Sequence, residues 1–152
     1  MSLGTANDMQ QVVGLAVGGE TYGISIARVK EIVRVQAVTH VPHAAPGIEG
    51  VTSLRGAVVP IMDLRRRCGV PVLPDTQQTR IVVSDLCGQT VGLIVDGVSE
   101  IHTIDPDAIA PPGTLMTDDD DLVAGIARVD GRLILLLNPD AVIGATPAGV
   151  PQ

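Results

Sequence analysis

Aromatic side chains are almost missing from this chain: it has no Trp and no Phe, and Tyr22 stands alone. Its core must therefore be assembled from Val, Ile, Leu and Ala, and β-branched residues favour pleated surfaces. Cations are scarce too, with 10 Lys and Arg against 17 Asp and Glu, for a net charge of −7. Nucleic-acid binders need a basic footprint, and single-strand readers add aromatic stacking platforms. Both deficits exclude that class. Cysteine is limited to Cys68 and Cys87, which form no C-x-x-C pair. Two such thiols, with no signal-peptide pattern ahead of them, point to a reducing cytoplasm and to ordinary small apolar roles. The longest aliphatic run, Leu133 to Leu137, falls far short of the roughly 20 residues a bilayer requires, so no membrane insertion is expected.

Catalytic signatures are lacking as well. His40, His43 and His102 do not fall at metal-ligand spacing. The run Asp118 to Asp121 has neither the alternating oxygens nor the mid-loop Gly and terminal Glu of a calcium loop. It reads as a solvated acidic segment. No phosphate-cradling Gly loop, G-x-S-x-G elbow or H-E-x-x-H occurs. The expectation is a protein without catalytic residues, metal or cofactor.

What the chain does have is short alternating apolar segments cut by turn signals. Val13, Leu15 and Val17 alternate before Gly18-Gly19, and Tyr22, Ile24 and Ile26 alternate after it. Strand pairs are expected on either side of Arg55-Gly56, Cys87-Gly88 and Asp130-Gly131, the last being the strongest hairpin signal. Val29, Ile32 and Val33 stand at i, i+3 and i+4, which predicts a short helical turn. A second turn is expected over 62–68, placing Arg65, Arg66 and Arg67 where the helix dipole favours cations. Asn138-Pro139 opens a last helix with Asn as cap and Pro at the first position. Residues 1–10 are expected to be disordered or tag-derived, and 144–152 a loose tail.

An internal repeat organises these pieces. The segment from Gly19 to Ile32 aligns without gaps on Gly88 to Ile101, with six identical columns, where average usage predicts about one. Gly50 to Asp63 aligns more weakly on Gly125 to Asn138, matching Gly50 with Gly125 and Gly56 with Gly131. A duplicated unit of about five short strands suggests two small barrels, closed to remove exposed edges. One turn breaks the repeat: Arg55 stands where the second half has Asp130. A repeat-breaking residue at an exposed tip is where a binding role would sit. Glu31, by contrast, recurs as Glu100, which suits an ion pair or hydrogen bond shared by both halves.

The segments Gly50-Val-Thr-Ser-Leu-Arg-Gly-Ala-Val-Val-Pro-Ile-Met-Asp-Leu64, Tyr22-Gly-Ile-Ser-Ile26, Val29-Lys-Glu-Ile32 and Val91-Gly-Leu-Ile-Val-Asp-Gly-Val98 resemble CheW-type chemotaxis coupling proteins. The similarity covers residues 11–143. It implies a mostly β fold of two intertwined SH3-like barrels, five strands each, with short helices. It also implies a non-enzymatic adaptor that joins chemoreceptor cytoplasmic tips to the regulatory domain of the histidine kinase CheA. Such an adaptor would be cytoplasmic and held in receptor arrays at the inner membrane. By motif match, Arg55 and Glu31 would face the receptor, with Val29 and Val58 as apolar contacts beside them. Gly50 and Gly56 match glycines tied to kinase coupling, although backbone geometry accounts for them equally well. A module of a larger signalling protein, such as a CheA regulatory domain or a CheV-type adaptor, is the alternative. Two departures stand out: the first strand lacks the Phe common in the family, and the last helix opens Asn-Pro where an acid is common.

Overall fold

A computed structural model describes residues 10–111 and 122–143. The expectations for the N-terminal residues before Gln10, for Asp118 to Asp121 and for the C-terminal tail lie outside the described residues. Eleven strands are described: β1 (Gln10–Val17), β2 (Glu20–Ser25), β3 (Val29–Arg34), β4 (Ile48–Leu54), β5 (Ala57–Asp63), β6 (Arg80–Leu86), β7 (Gln89–Val95), β8 (Gly97–Ile104), β9 (Ile109–Ala110), β10 (Val123–Val129) and β11 (Arg132–Leu137). Two short helices, α1 (Leu64–Arg67) and α2 (Pro139–Ile143), follow β5 and β11.

The four expected turns are all present, and they share one geometry. Gly18-Gly19, Arg55-Gly56, Cys87-Gly88 and Asp130-Gly131 each have positive φ at both positions. That conformation matches the right-handed twist of the paired strands. Gly or Asp meets it cheaply, whereas Arg55 (φ 53°) and Cys87 (φ 53°) adopt it against the steric preference of their Cβ atoms.

The strands form two sheets, ordered β9-β10-β11-β2-β1-β8 and β3-β6-β7-β5-β4. Each sheet therefore mixes hairpins from both halves of the repeat. The first half contributes β1 and β2 to one sheet and β3, β4 and β5 to the other; the second half does the reverse. Register is duplicated residue by residue. Leu15 opposes Tyr22 as Ser84 opposes Val91, and Gly50 opposes Ile61 as Gly125 opposes Leu136. The parallel pairs joining the halves match as well, Ile61 with Gly92 and Leu136 with Gly23.

Closure comes from bent strands. β8 and β9 bracket the first sheet and are joined only through Ile104, Asp105 and the 3₁₀ turn Pro106–Ala108, so one bent segment supplies both edges. In the second sheet the chain leaving β3 returns to bridge Thr39 with Val51 of β4. The free edges are shortened, and with them the templates for wrong pairing. The result is two intertwined SH3-like barrels.

Three apolar clusters fill this frame. Val12, Ile104, Ala127, Ile134 and Leu136 occupy one barrel, and Val59, Ile61, Ile81 and Val83 the other. The largest lies between the barrels and includes Leu15, Tyr22, Ile24, Met62, Leu93 and Val142. Deleting any of these large side chains would cost about 2–5 kcal/mol.

One helix expectation is corrected. Residues 26–28 form a 3₁₀ turn, and Val29, Ile32 and Val33 belong to strand β3. Val29 and Val33 are half-buried while Ile32 is exposed, which is period two rather than a helical stripe. Pairing with β6 across the repeat boundary overrides the local pattern. The helical turn expected over 62–68 is the shorter α1, with Asp63 as its cap. Among the described residues no helix is long and apolar enough to cross a membrane.

Candidate functional site

The β4–β5 hairpin carries Arg55 at its tip and Val58 two residues beyond the tip's glycine. Arg55 Nη2 lies 3.0 Å from Glu31 Oε1. Glu31 sits on β3, which stands at the opposite edge of the same sheet from β4, so this ion pair reaches across the closed barrel. The Arg55 side chain is 72% exposed and that of Glu31 28%. Val58 is 71% exposed, far more than sheet packing needs. Val29 is half-buried against the central cluster. The structure thus joins Arg55 directly to Glu31, while Val58 is presented outward on the Arg55 hairpin and Val29 serves mainly the core.

Sequence reasoning did not single out Ile32, although it is 39% exposed on β3 next to Glu31. Strand alternation would have revealed it, had the segment been read with period two. The repeat mates sharpen the point. Ile101 and Leu133, which align with Ile32 and Val58, are also exposed. The second barrel therefore offers the same apolar pair, but its aligned charges are Glu100 and Asp130, two acids. In the first barrel the charge at the matching hairpin tip is a cation, Arg55.

Gly50 and Gly56 have separate structural roles. A Cβ on Gly50 would collide with the carbonyl oxygen of Thr39, at the bridge that closes the barrel. Gly56 meets nothing but has φ +83°, so there the turn conformation is what selects glycine.

The arginines of α1 depart most from expectation. Arg65 is not a solvated cation at a helix end; it is 2% exposed. Its Nε and Nη2 donate to Asp63 at 2.9 Å each, and its Nη1 donates to Asp96 at 3.1 Å. The Asp63 carboxylate, with Asp96 behind it, holds the guanidinium pKa above its ordinary value against the opposing effect of burial. Arg66 pairs with Glu49 at 2.9 Å, and Arg67 donates to the carbonyls of Ala141 and Val142 in α2. A run of three arginines cannot disclose this, because the neighbouring Asp63 is buried with Arg65 only on folding and Asp96 comes from a distant strand junction. Cys68 packs against the central cluster. Cys87 lies exposed at a turn tip, its thiol pKa pushed up by desolvation and by Asp140. Among the described residues no three His, Cys, Asp or Glu side chains converge as metal ligands.

Comparison with known proteins agrees with this architecture. Residues 11–146 match the family model described as CheW-like domain. The chemotaxis protein CheW of Rhizobium meliloti (strain 1021) is 33% identical over 137 residues, covering 90% of this chain and 88% of the relative. That of Bacillus subtilis (strain 168) is 35% identical over 136 residues, covering 88% and 86%. The crystal structure of the scaffolding protein TtCheW from Thermoanaerobacter tengcongensis superposes with a TM-score of 0.81 at 34% identity, covering 88% of this chain and 92% of that one. The fold class is that of a protein of two intertwined SH3-like barrels. The chain belongs to the CheW family.

Proposed function

We propose that this protein is a non-enzymatic adaptor of bacterial chemotaxis, linking the cytoplasmic tips of chemoreceptors to the regulatory domain of the histidine kinase CheA. Its place is the cytoplasm, in receptor arrays at the inner membrane. One observation carries the reading most directly. Arg55 occupies a left-handed turn position that suits Gly or Asp better, and it stands exposed beside an outward-facing Val58. Folding gains little from that combination. A helical receptor tip does, because its apolar stripe can lie on exposed aliphatics while a cation at the rim fixes register. Glu31 holds the guanidinium in place before the partner arrives. Val29 supports β3 from beneath. Modest affinity suffices, since arrays gain strength from multivalency. Family membership supports the reading, as do the names of the relatives.

The test is titration of the protein against a receptor-tip fragment and against the CheA regulatory domain of the same organism. Binding of both is the expected result. Binding of neither would overturn the adaptor reading.

A further inference from the structure

The register of β3 on β6 sets Arg34 directly opposite Arg80. Residues so opposed in an antiparallel pair share a face, and like charges there destabilise the sheet. Arg28, Arg55, Arg65 and Arg66 each have a carboxylate partner. Among the described residues Arg34 and Arg80 have none; neither do Arg128 and Arg132, but those two are not set opposite each other. Both line a half-open cleft of about 750 Å³ between the barrels, together with Gln77, Gln78, Ser99 and Asp96. Asp96 lines the same cleft but makes no ion pair with either arginine; its oxygens accept from Arg65 Nη1 and the Gly18 N–H. Arg80 Nη1 is pinned by the carbonyls of Gln77 and Thr79, at 2.7 and 2.9 Å. Its remaining N–H groups are uncommitted among the described residues.

We propose that Arg34 and Arg80 receive a carboxylate side chain presented by a docking partner protein, a proposal that rests on the adaptor reading. Planar guanidinium forks match carboxylates with paired hydrogen bonds. The cleft is too roomy and too open to enclose a single small ion, but it admits a side chain projecting from a surface. Two unpaired arginines facing each other are a cost to the fold, and a partner's acid would remove it.

The experiment follows the arginine Nε–Hε signals of the intact protein by NMR while a glutamate hexapeptide is added, with inorganic phosphate as the small-ion arm. Saturating shifts of Arg34 and Arg80 with the peptide, absent from Arg34→Gln/Arg80→Gln, are expected. No shift, or phosphate binding as tightly as the peptide, overturns the proposal. The double variant is then titrated against the receptor-tip fragment and the kinase domain. A loss of about tenfold or more toward one of them is expected, with the melting temperature unchanged or raised. Parent-like binding of both overturns the proposal while leaving the adaptor reading intact. If the parent binds neither, the adaptor reading fails, and the peptide titration alone decides the chemistry of the cleft.

Discussion

Arg65 Nη1 and Asp96 Oδ1 lie 3.1 Å apart, joining the helix that ends the first half of the repeat to the junction of β7 and β8 in the second. Asp96 Oδ2 accepts from the backbone N–H of Gly18, at the β1–β2 turn of the other barrel. Asp63, the N-cap of α1, holds the opposite side of the same guanidinium. One buried arginine thus ties three elements drawn from both barrels. Asn138 occupies the position matching Asp63 in the second half, and Asp140, which matches Arg65, instead pairs with Arg28 at 3.1 Å in an exposed contact.

Removing Arg65 would strand Asp63, which is 4% exposed, as an unpaired buried charge. Arg65→Met is therefore expected to lower unfolding free energy by about 3–5 kcal/mol. Arg65→Met combined with Asp63→Asn should recover part of the loss, because the orphaned charge goes too. Denaturant unfolding of the two variants checks this. Equal losses in both would show that the pair acts through packing alone.

Gly50 and Gly56 separate by mechanism. Gly50→Ala drives a methyl into the Thr39 carbonyl at the closing bridge, and a loss of about 2–3 kcal/mol is expected, as for overpacking against a fixed backbone. Gly56→Ala meets no atoms and should cost only the left-handed strain of about 1–2 kcal/mol. If Gly56→Ala proved the more damaging to folding, the assigned roles would have to be exchanged.

Tyr22 provides a pH test with a single reporter, because no other tyrosine or tryptophan absorbs. Burial first, then Cys68 and Glu20, push its pKa up to about 12 from the ordinary 10.0. The folded state thus binds the phenol proton more tightly than the unfolded chain does. Its contribution is whole below pH 10 and is lost as pH climbs from 10 through about 12. The decline expected over that window is roughly 2–3 kcal/mol. Denaturation at several alkaline pH values, with phenolate absorbance alongside, reads it. Tyr22→Phe should flatten the slope, and an unchanged slope would assign the effect elsewhere.

Much of the architecture is legible in the sequence because hairpins are local. Asp130-Gly131 and Gly18-Gly19 announce their turns through backbone chemistry alone, and the repeat reports the duplication. Strand exchange between halves is not legible, since β3 pairs with β6 across the repeat boundary and no local pattern encodes that. The misread period around Ile32 follows from the same cause. Arg65 illustrates a second limit: a surface arginine and a buried one look alike until Asp63 and Asp96 converge on it. At the candidate site the sequence identified Arg55 by its break with the repeat. The contact with Glu31 could only come from barrel closure.

That contact sets the sharpest prediction. The Arg55–Glu31 pair is largely exposed, and such pairs contribute about 0.2–1 kcal/mol to folding. Arg55→Ala should therefore change unfolding free energy only slightly, at the low end of that range. Arg55→Asn should be at least as stable as Arg55→Ala, because Asn tolerates the left-handed turn better than other branched side chains. Both should weaken receptor-tip binding by about 1–3 kcal/mol if Arg55 anchors the interface. Glu31→Gln should have a smaller effect in the same direction, since it frees the guanidinium without removing it. Kinase-domain binding should survive all three changes. The measurements are denaturation and paired titrations with the two partners. Easy unfolding of Arg55→Ala, or receptor affinity equal to the parent's, would reduce Arg55 to a turn residue and move the receptor surface elsewhere on the barrels.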